Sequence, residues 1–163
     1  MTKSNFAVFA GLAFAAAMVA TPAMAAGKPD FSGDWKLNVE KSDFGPMPPP
    51  TSQTQKIDHK EPVLKITTAQ SGMDGDTTVD ATYKTDGSES KNSVRGMEAK
   101  SVAKWDGDAL MIDTKLDFQG TEITLKMSMK MAEDGKTISA KTKIMTPQGD
   151  FDLTSVLEKV AAK

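Results

Sequence analysis

The spacing of short polar turns limits the fold of this chain more than any other feature. After Ser52 the dipeptides Ser71-Gly72, Asp74-Gly75, Asp86-Gly87, Arg95-Gly96, Asp106-Gly107, Gln119-Gly120, Asp134-Gly135 and Gln148-Gly149 punctuate the sequence. Most lie about 9 to 15 residues apart, the interval expected of strands joined by hairpins. Between the turns, apolar and polar residues alternate. In ALMIDTKLDF, Leu110, Ile112, Leu116 and Phe118 share one parity, and Asp113, Lys115 and Asp117 share the other. TEITLKMSMKM sets Ile123, Leu125, Met127, Met129 and Met131 against Thr124, Lys126, Ser128 and Lys130. KTISAKTKIM opposes Ile138, Ala140 and Ile144 to Ser139, Lys141 and Lys143, and FDLTSVLEK places Phe151, Leu153 and Leu157 on one face, with Val156 interrupting the polar one. A period of two means strands with one buried and one wet face.

Weaker alternation covers Gln53 to His59, Val63 to Gln70, Thr77 to Lys84, Ser88 to Val94 and Met97 to Trp105. With the opening stretch from Phe31 this gives nine or ten strands. A helical period is sustained nowhere, and only SVLEKVAAK at the C-terminus has the composition of a helical turn. Consecutive antiparallel strands must pack as two sheets or close on themselves to remove their edges. Tight turns and few long crossovers favour the second solution, an all-β antiparallel up-and-down barrel of eight to ten strands. The segment Gly45 to Ser52, GPMPPPTS, departs from the pattern: its prolines cannot donate to a ladder, so it should run extended over the surface, as a connector or a lid.

Residues 1–25 read as a secretory signal peptide, with Lys3 before an apolar run from Phe6 to Ala20 and an A-x-A site at Ala23 to Ala25. The expected domain plan is this leader followed by one barrel over 26–163, secreted or periplasmic. No cysteine is present, so neither a lipid-anchor acceptor nor a disulfide is available, and stability must come from the core. Of 20 basic side chains, removal of Lys3 leaves 19 against 22 acidic ones, a net charge near −3. That balance argues against nucleic acid or an anionic membrane as partner.

Gly33-Asp34-Trp35, continued by Lys36-Leu37-Asn38 and followed by Lys41-Ser42-Asp43-Phe44, resembles the start of the lipocalin-like proteins exported by many Gram-negative and soil bacteria. In these, G-x-W-x-L-N precedes a K-S-x-F corner. The resemblance implies an up-and-down barrel whose tryptophan closes the bottom of a cup. Lipocalins set an arginine of the last strand against that tryptophan, whereas here the last strands carry lysines and Arg95 lies mid-chain. The residues agree independently with a plugged barrel end: Phe31, Trp35, Leu37 and Val39 share a parity with Gly33, so two bulky rings flank a gap on the core side.

Catalysis has few candidates. There is no cysteine nucleophile, and the single histidine, His59, stands among Asp58, Lys60 and Glu61 as a solvated hairpin position would. Asp74, Asp76 and Asp80 in MDGDTTVD lack the closing glutamate of a calcium loop and are explained by turns. No enzyme activity, cofactor or metal is therefore expected. In MEAKSVAKW, an inward Trp105 brings Ala103, Ser101 and Ala99 with it; these small residues either balance the methionines opposite or leave a cavity. The expected function is an exported binding protein that holds a small apolar ligand against Trp105, Ala103, Tyr83, Met127 and Met129. Two alternatives stand beside it. One is a copper or silver carrier using Met127, Met129 and Met131, since soft thioethers select Cu(I). The other is an inhibitor or envelope interaction protein acting through its surface, which an exposed apolar patch around Met47 would favour. Oligomeric state has no signature in the sequence.

Overall fold

The computed structural model describes residues 27–73 and 75–161. The signal-peptide expectation falls on residues outside this range. Ten strands follow one another: β1 (Gly33–Leu37), β2 (Ser52–Lys60), β3 (Val63–Gly72), β4 (Gly75–Lys84), β5 (Asp86–Val94), β6 (Met97–Asp106), β7 (Ala109–Phe118), β8 (Thr121–Met131), β9 (Thr137–Thr146) and β10 (Gly149–Lys159). They form one antiparallel sheet in the order β4-β3-β2-β1-β10-β9-β8-β7-β6-β5. Every neighbour is a sequence neighbour except β1 and β10, whose pairing closes the meander. The fold is a nearly closed up-and-down barrel, and the alternating pattern is its cause: each apolar parity turns inward and each charged parity outward. The C-terminal SVLEK continues β10 instead of forming a helical turn, with Ser155, Val156 and Leu157 opposite Ala140, Ser139 and Ile138.

The two edge strands, β4 and β5, are consecutive and joined through Thr85, yet no ladder connects them. A bulge between Asp86 and Glu89, where Gly87 has a φ of 88°, turns β5 away from β4. Side chains cross the seam instead. The Thr82 N–H donates to Asn92 Oδ1 at 2.7 Å, Asn92 Nδ2 donates to the Thr82 carbonyl at 3.1 Å, and the Lys84 N–H donates to Ser90 Oγ at 2.9 Å. Asn92 thereby satisfies one residue of β4 as a neighbouring backbone would.

The turns sort to two ends of the barrel. One end gathers residues 27–32 and the β2–β3, β4–β5, β6–β7 and β8–β9 turns; it is sealed by Phe31, Trp35, Leu64, Leu110, Ile138 and Leu157, all essentially inaccessible to solvent. The other end carries the proline-containing β1–β2 loop, 38–51, which is largely exposed apart from Pro50. The K-S-x-F corner of that loop docks on β10. Ser42 Oγ donates to the Asn38 carbonyl and accepts from the Val156 N–H, Asp43 bridges to Thr154, and Lys41 and Asn38 both donate to Glu158. Phe44 then packs against the core.

Candidate functional site

The inward-facing residues behave differently at the two ends, and that difference defines the candidate site. At the sealed end the G-x-W segment is held by more than burial. Trp35 Nε1 donates to the Phe31 carbonyl at 2.9 Å, and Lys159 Nζ of β10 lies over the Trp35 ring, 5.2 Å from its centroid. The last strand thus supplies a cation to the motif tryptophan, a lysine in place of the arginine. Gly33 makes this approach fit: its φ is 135°, and a Cβ there would stand 2.8 Å from the Lys159 chain.

His59 departs from the sequence expectation. It is buried, not solvated, because it shares the parity of Ile57 and points inward from β2. Its ring stacks with Phe31 and Trp105, and the Phe31 and Trp105 rings are themselves nearly parallel, 5.8 Å apart at 3°. His59 Nδ1 accepts from the Phe31 N–H at 3.2 Å, so the tautomer these partners fit has its proton on Nε2, facing Glu61 Oε1 at 3.2 Å. Glu61 also accepts from Trp105 Nε1 and Thr85 Oγ1 and lies 3.8 Å from Lys28. Partial burial raises the Glu61 pKa, but the hydrogen bonds from Thr85, Trp105 and His59, with the charge of Lys28, outweigh it and leave the carboxyl below its ordinary value. This polar cluster is fully partnered and lies in the end-seal, so it is a clasp joining the β2–β3 and β4–β5 turns, the end of β6 and the N-terminal segment.

Towards the other end the inward residues divide by strand: Gln55, Thr68 and Val79 on β2 to β4, and Leu125, Ile144 and Leu153 on β8 to β10, remain half-exposed, whereas Ala99 and Ser101 on β6 and Thr114 and Leu116 on β7 are buried. An inward side chain that water still reaches borders open space. The interior is therefore a cup that is solid at the Trp35 end and along β6 and β7, and accessible between β2 to β4 and β8 to β10 from the side of the β1–β2 loop. Of the residues anticipated as ligand contacts, Trp105 belongs to the clasp of the end-seal, and the others lie in or beside the core. Ala103 and Met129 belong to the buried core, while Trp105, Tyr83 and Met127 are partly buried and pack against it. Burial pushes the Tyr83 hydroxyl above the ordinary phenol value. Met127 and Met129 stand opposite Thr142 and Ala140 across β9, and Met131 opposite Ile138, so all three methionines face inward as their parity requires.

Elsewhere the surface offers shallower features. A groove of about 360 Å³ crosses the outer face of β8 and β9 beside Ser128, Lys130, Ser139 and Lys141. A cleft of about 70 Å³ at the accessible end is lined by Pro48, Pro49, Pro50, Gln70, Thr77 and Arg95, which places the proline segment at the rim of the cup. Met47 and Met73 are exposed at the same rim. Asp80 faces outward and accepts from Thr67 Oγ1, while Asp74 lies outside the described residues. Among the described residues, no three His, Cys, Asp or Glu side chains converge as a metal site of those ligands would need.

No family model matches the sequence, and no curated protein matches it. Solved structures do share its fold. A secretory abundant heat soluble protein from Ramazzottius varieornatus superposes with a TM-score of 0.57 at 16% identity, covering 83% of this chain and 97% of that one. The zebrafish ileal bile acid-binding protein, complexed with cholic acid, gives 0.55 at 15% identity over 80% and 98% of the two chains. A Schistosoma mansoni fatty acid binding protein in complex with arachidonic acid gives 0.53 at 14% identity over 80% and 96%. These are lipocalin-like and fatty-acid-binding-protein-like barrels, and at such identities the likeness concerns the fold.

Proposed function

We propose that this chain is an exported, non-enzymatic binding protein that holds one small apolar molecule inside its barrel. The observation that carries the reading is the split interior: a sealed aromatic end below inward-facing Leu125, Met127, Ile144 and Leu153 that solvent still reaches. Leaving such apolar surface wet costs about 25 cal/mol per Å², which a ligand of matching shape recovers. Two of the barrels of like fold carry a bile acid and a fatty acid, which supports the same use here. Trp105, Ala103, Tyr83, Met127 and Met129 form the floor and lower wall of this site, with flexible methionines adapting to the ligand's end. The secretory leader read in residues 1–25 supports the exported part of this reading, with the periplasm or the cell exterior as the site of action.

Filling the cup tests this reading. In Leu125→Trp the added ring occupies the space a ligand would take, and binding of the fluorescent apolar probe N-phenyl-1-naphthylamine should weaken by about tenfold or more, or about 1.4 kcal/mol. Val102→Trp adds the same ring to the outer face, where Val102 is exposed, and should leave binding unchanged. Equal affinity of the two variants, both folded by circular dichroism, would place the probe outside the barrel.

A further inference from the structure

The charge of the inward-facing rows restricts the ligand further. Following the register around the barrel, the inward positions of β1 to β10 contain no aspartate, glutamate or arginine among the described residues. Their one lysine is Lys159, which pairs with Trp35 and lies outside the seal, with the fully buried Trp35 ring between it and the cup. The one imidazole, His59, is enclosed in the same seal and partnered at both nitrogens. Arg95 lies in the β5–β6 turn at the rim, beyond the ends of the inward rows.

The accessible half is nevertheless polar on one side. Gln53 and Gln55 on β2 stand opposite Gln70 and Thr68 on β3, and Gln70 stands opposite Thr77 on β4. All five are inward-facing and half-exposed, and among the described residues their side chains have no hydrogen-bond partner in the protein. The wall across the barrel is apolar: Ile123 and Leu125 on β8, Ile144 on β9, Phe151 and Leu153 on β10. β3 and β8 are five strands apart in a ring of ten, so these walls face each other.

The geometry points to an uncharged ligand with hydroxyl, carbonyl or amide groups along one edge, seated with that edge on Gln53, Gln55, Thr68, Gln70 and Thr77. This deepens the binding reading above and rests on it. An amide side chain both donates and accepts, so it suits an alcohol or ketone, whereas a carboxylate seated at Gln55 and Thr68, deeper than the rim cleft that Arg95 shares with Gln70 and Thr77, would lose its hydration without gaining a cation. The site therefore differs in chemistry from one selected for the acids that accompany the two ligand-bearing barrels of like fold.

Matched pairs sharing a skeleton give the test: dodecanol against dodecanoate, and pyrenebutanol against pyrenebutyrate, titrated into the full chain at neutral pH by calorimetry. Each alcohol should bind about tenfold or more tightly than its acid, and the methyl ester of each acid should bind like the alcohol. Gln55→Arg, which adds an inward cation, should reverse the preference. Acids that bind the unmodified chain as well as their alcohols and esters would overturn the inference while leaving the binding reading standing. Failure of every member of both pairs to bind would remove the binding reading itself, and this inference with it.

Discussion

His59 and Glu61 show how little a residue's sequence neighbours say about its surroundings. Asp58, Lys60 and Glu61 make the segment look wet, yet alternation from Ile57 carries the imidazole inward, and that parity was the one available signal. Glu61 then becomes the acceptor that ties Trp105, Thr85 and His59 together. Its pKa is depressed in the folded state, so its contribution is fully present above the unfolded value near 4.5 and is lost as pH falls through the lower folded value. The melting-temperature advantage of the unmodified chain over Glu61→Gln should therefore be constant near neutrality and shrink on acidification below that point. An advantage that grows in acid would show that the clasp is not held by the carboxylate. Gly33 is the second decisive residue. Gly33→Ala must adopt a positive φ with a Cβ and displace Lys159 from Trp35, at a cost of roughly 1–3 kcal/mol in urea unfolding.

At the scale of elements, the strands were legible because a period of two, cut by glycine turns, has few other solutions. The G-x-W opening and the inward methionines were legible for the same reason. The seam was not. Alternation predicts which face a residue takes, but not that a one-residue insertion at Gly87 and Ser88 would part β5 from β4. Nor does the pattern reveal that Asn92, an unremarkable polar residue in a weak strand, would substitute for the missing ladder. Asn92→Ala leaves the Thr82 N–H and carbonyl to water and should cost about 0.5–1.5 kcal/mol. Amide exchange at Thr82 should accelerate far more than exchange in β7 and β8, which pair along their whole length. Uniform acceleration across the sheet would mean that the seam is not a separately opening unit. The K-S-x-F corner is a related case: the sequence shows the pattern, and its cause lies in the bonds these residues make to β10.

At the scale of the molecule, a barrel that is dense at one end and accessible at the other is suited to holding a cargo, and the absence of cysteine leaves the sealed end to supply the stability. The sequence indicated residues deep in the barrel as ligand contacts because their sizes alternate there. It gave no reason to look at Gln53, Gln55 and Gln70, because glutamine at inward positions reads as a weak strand until the neighbouring walls are known. The measurement that tests the central claim most directly is native mass spectrometry of the chain purified from its native cells and their surroundings without detergent, before and after organic extraction. A discrete extra mass that extraction removes and Leu125→Trp lacks is the predicted result. A clean apo mass in both proteins, with no apolar probe taken up afterwards, would contradict the account and assign the work of this protein to its surface, beginning with the exposed rim around Met47 and Met73.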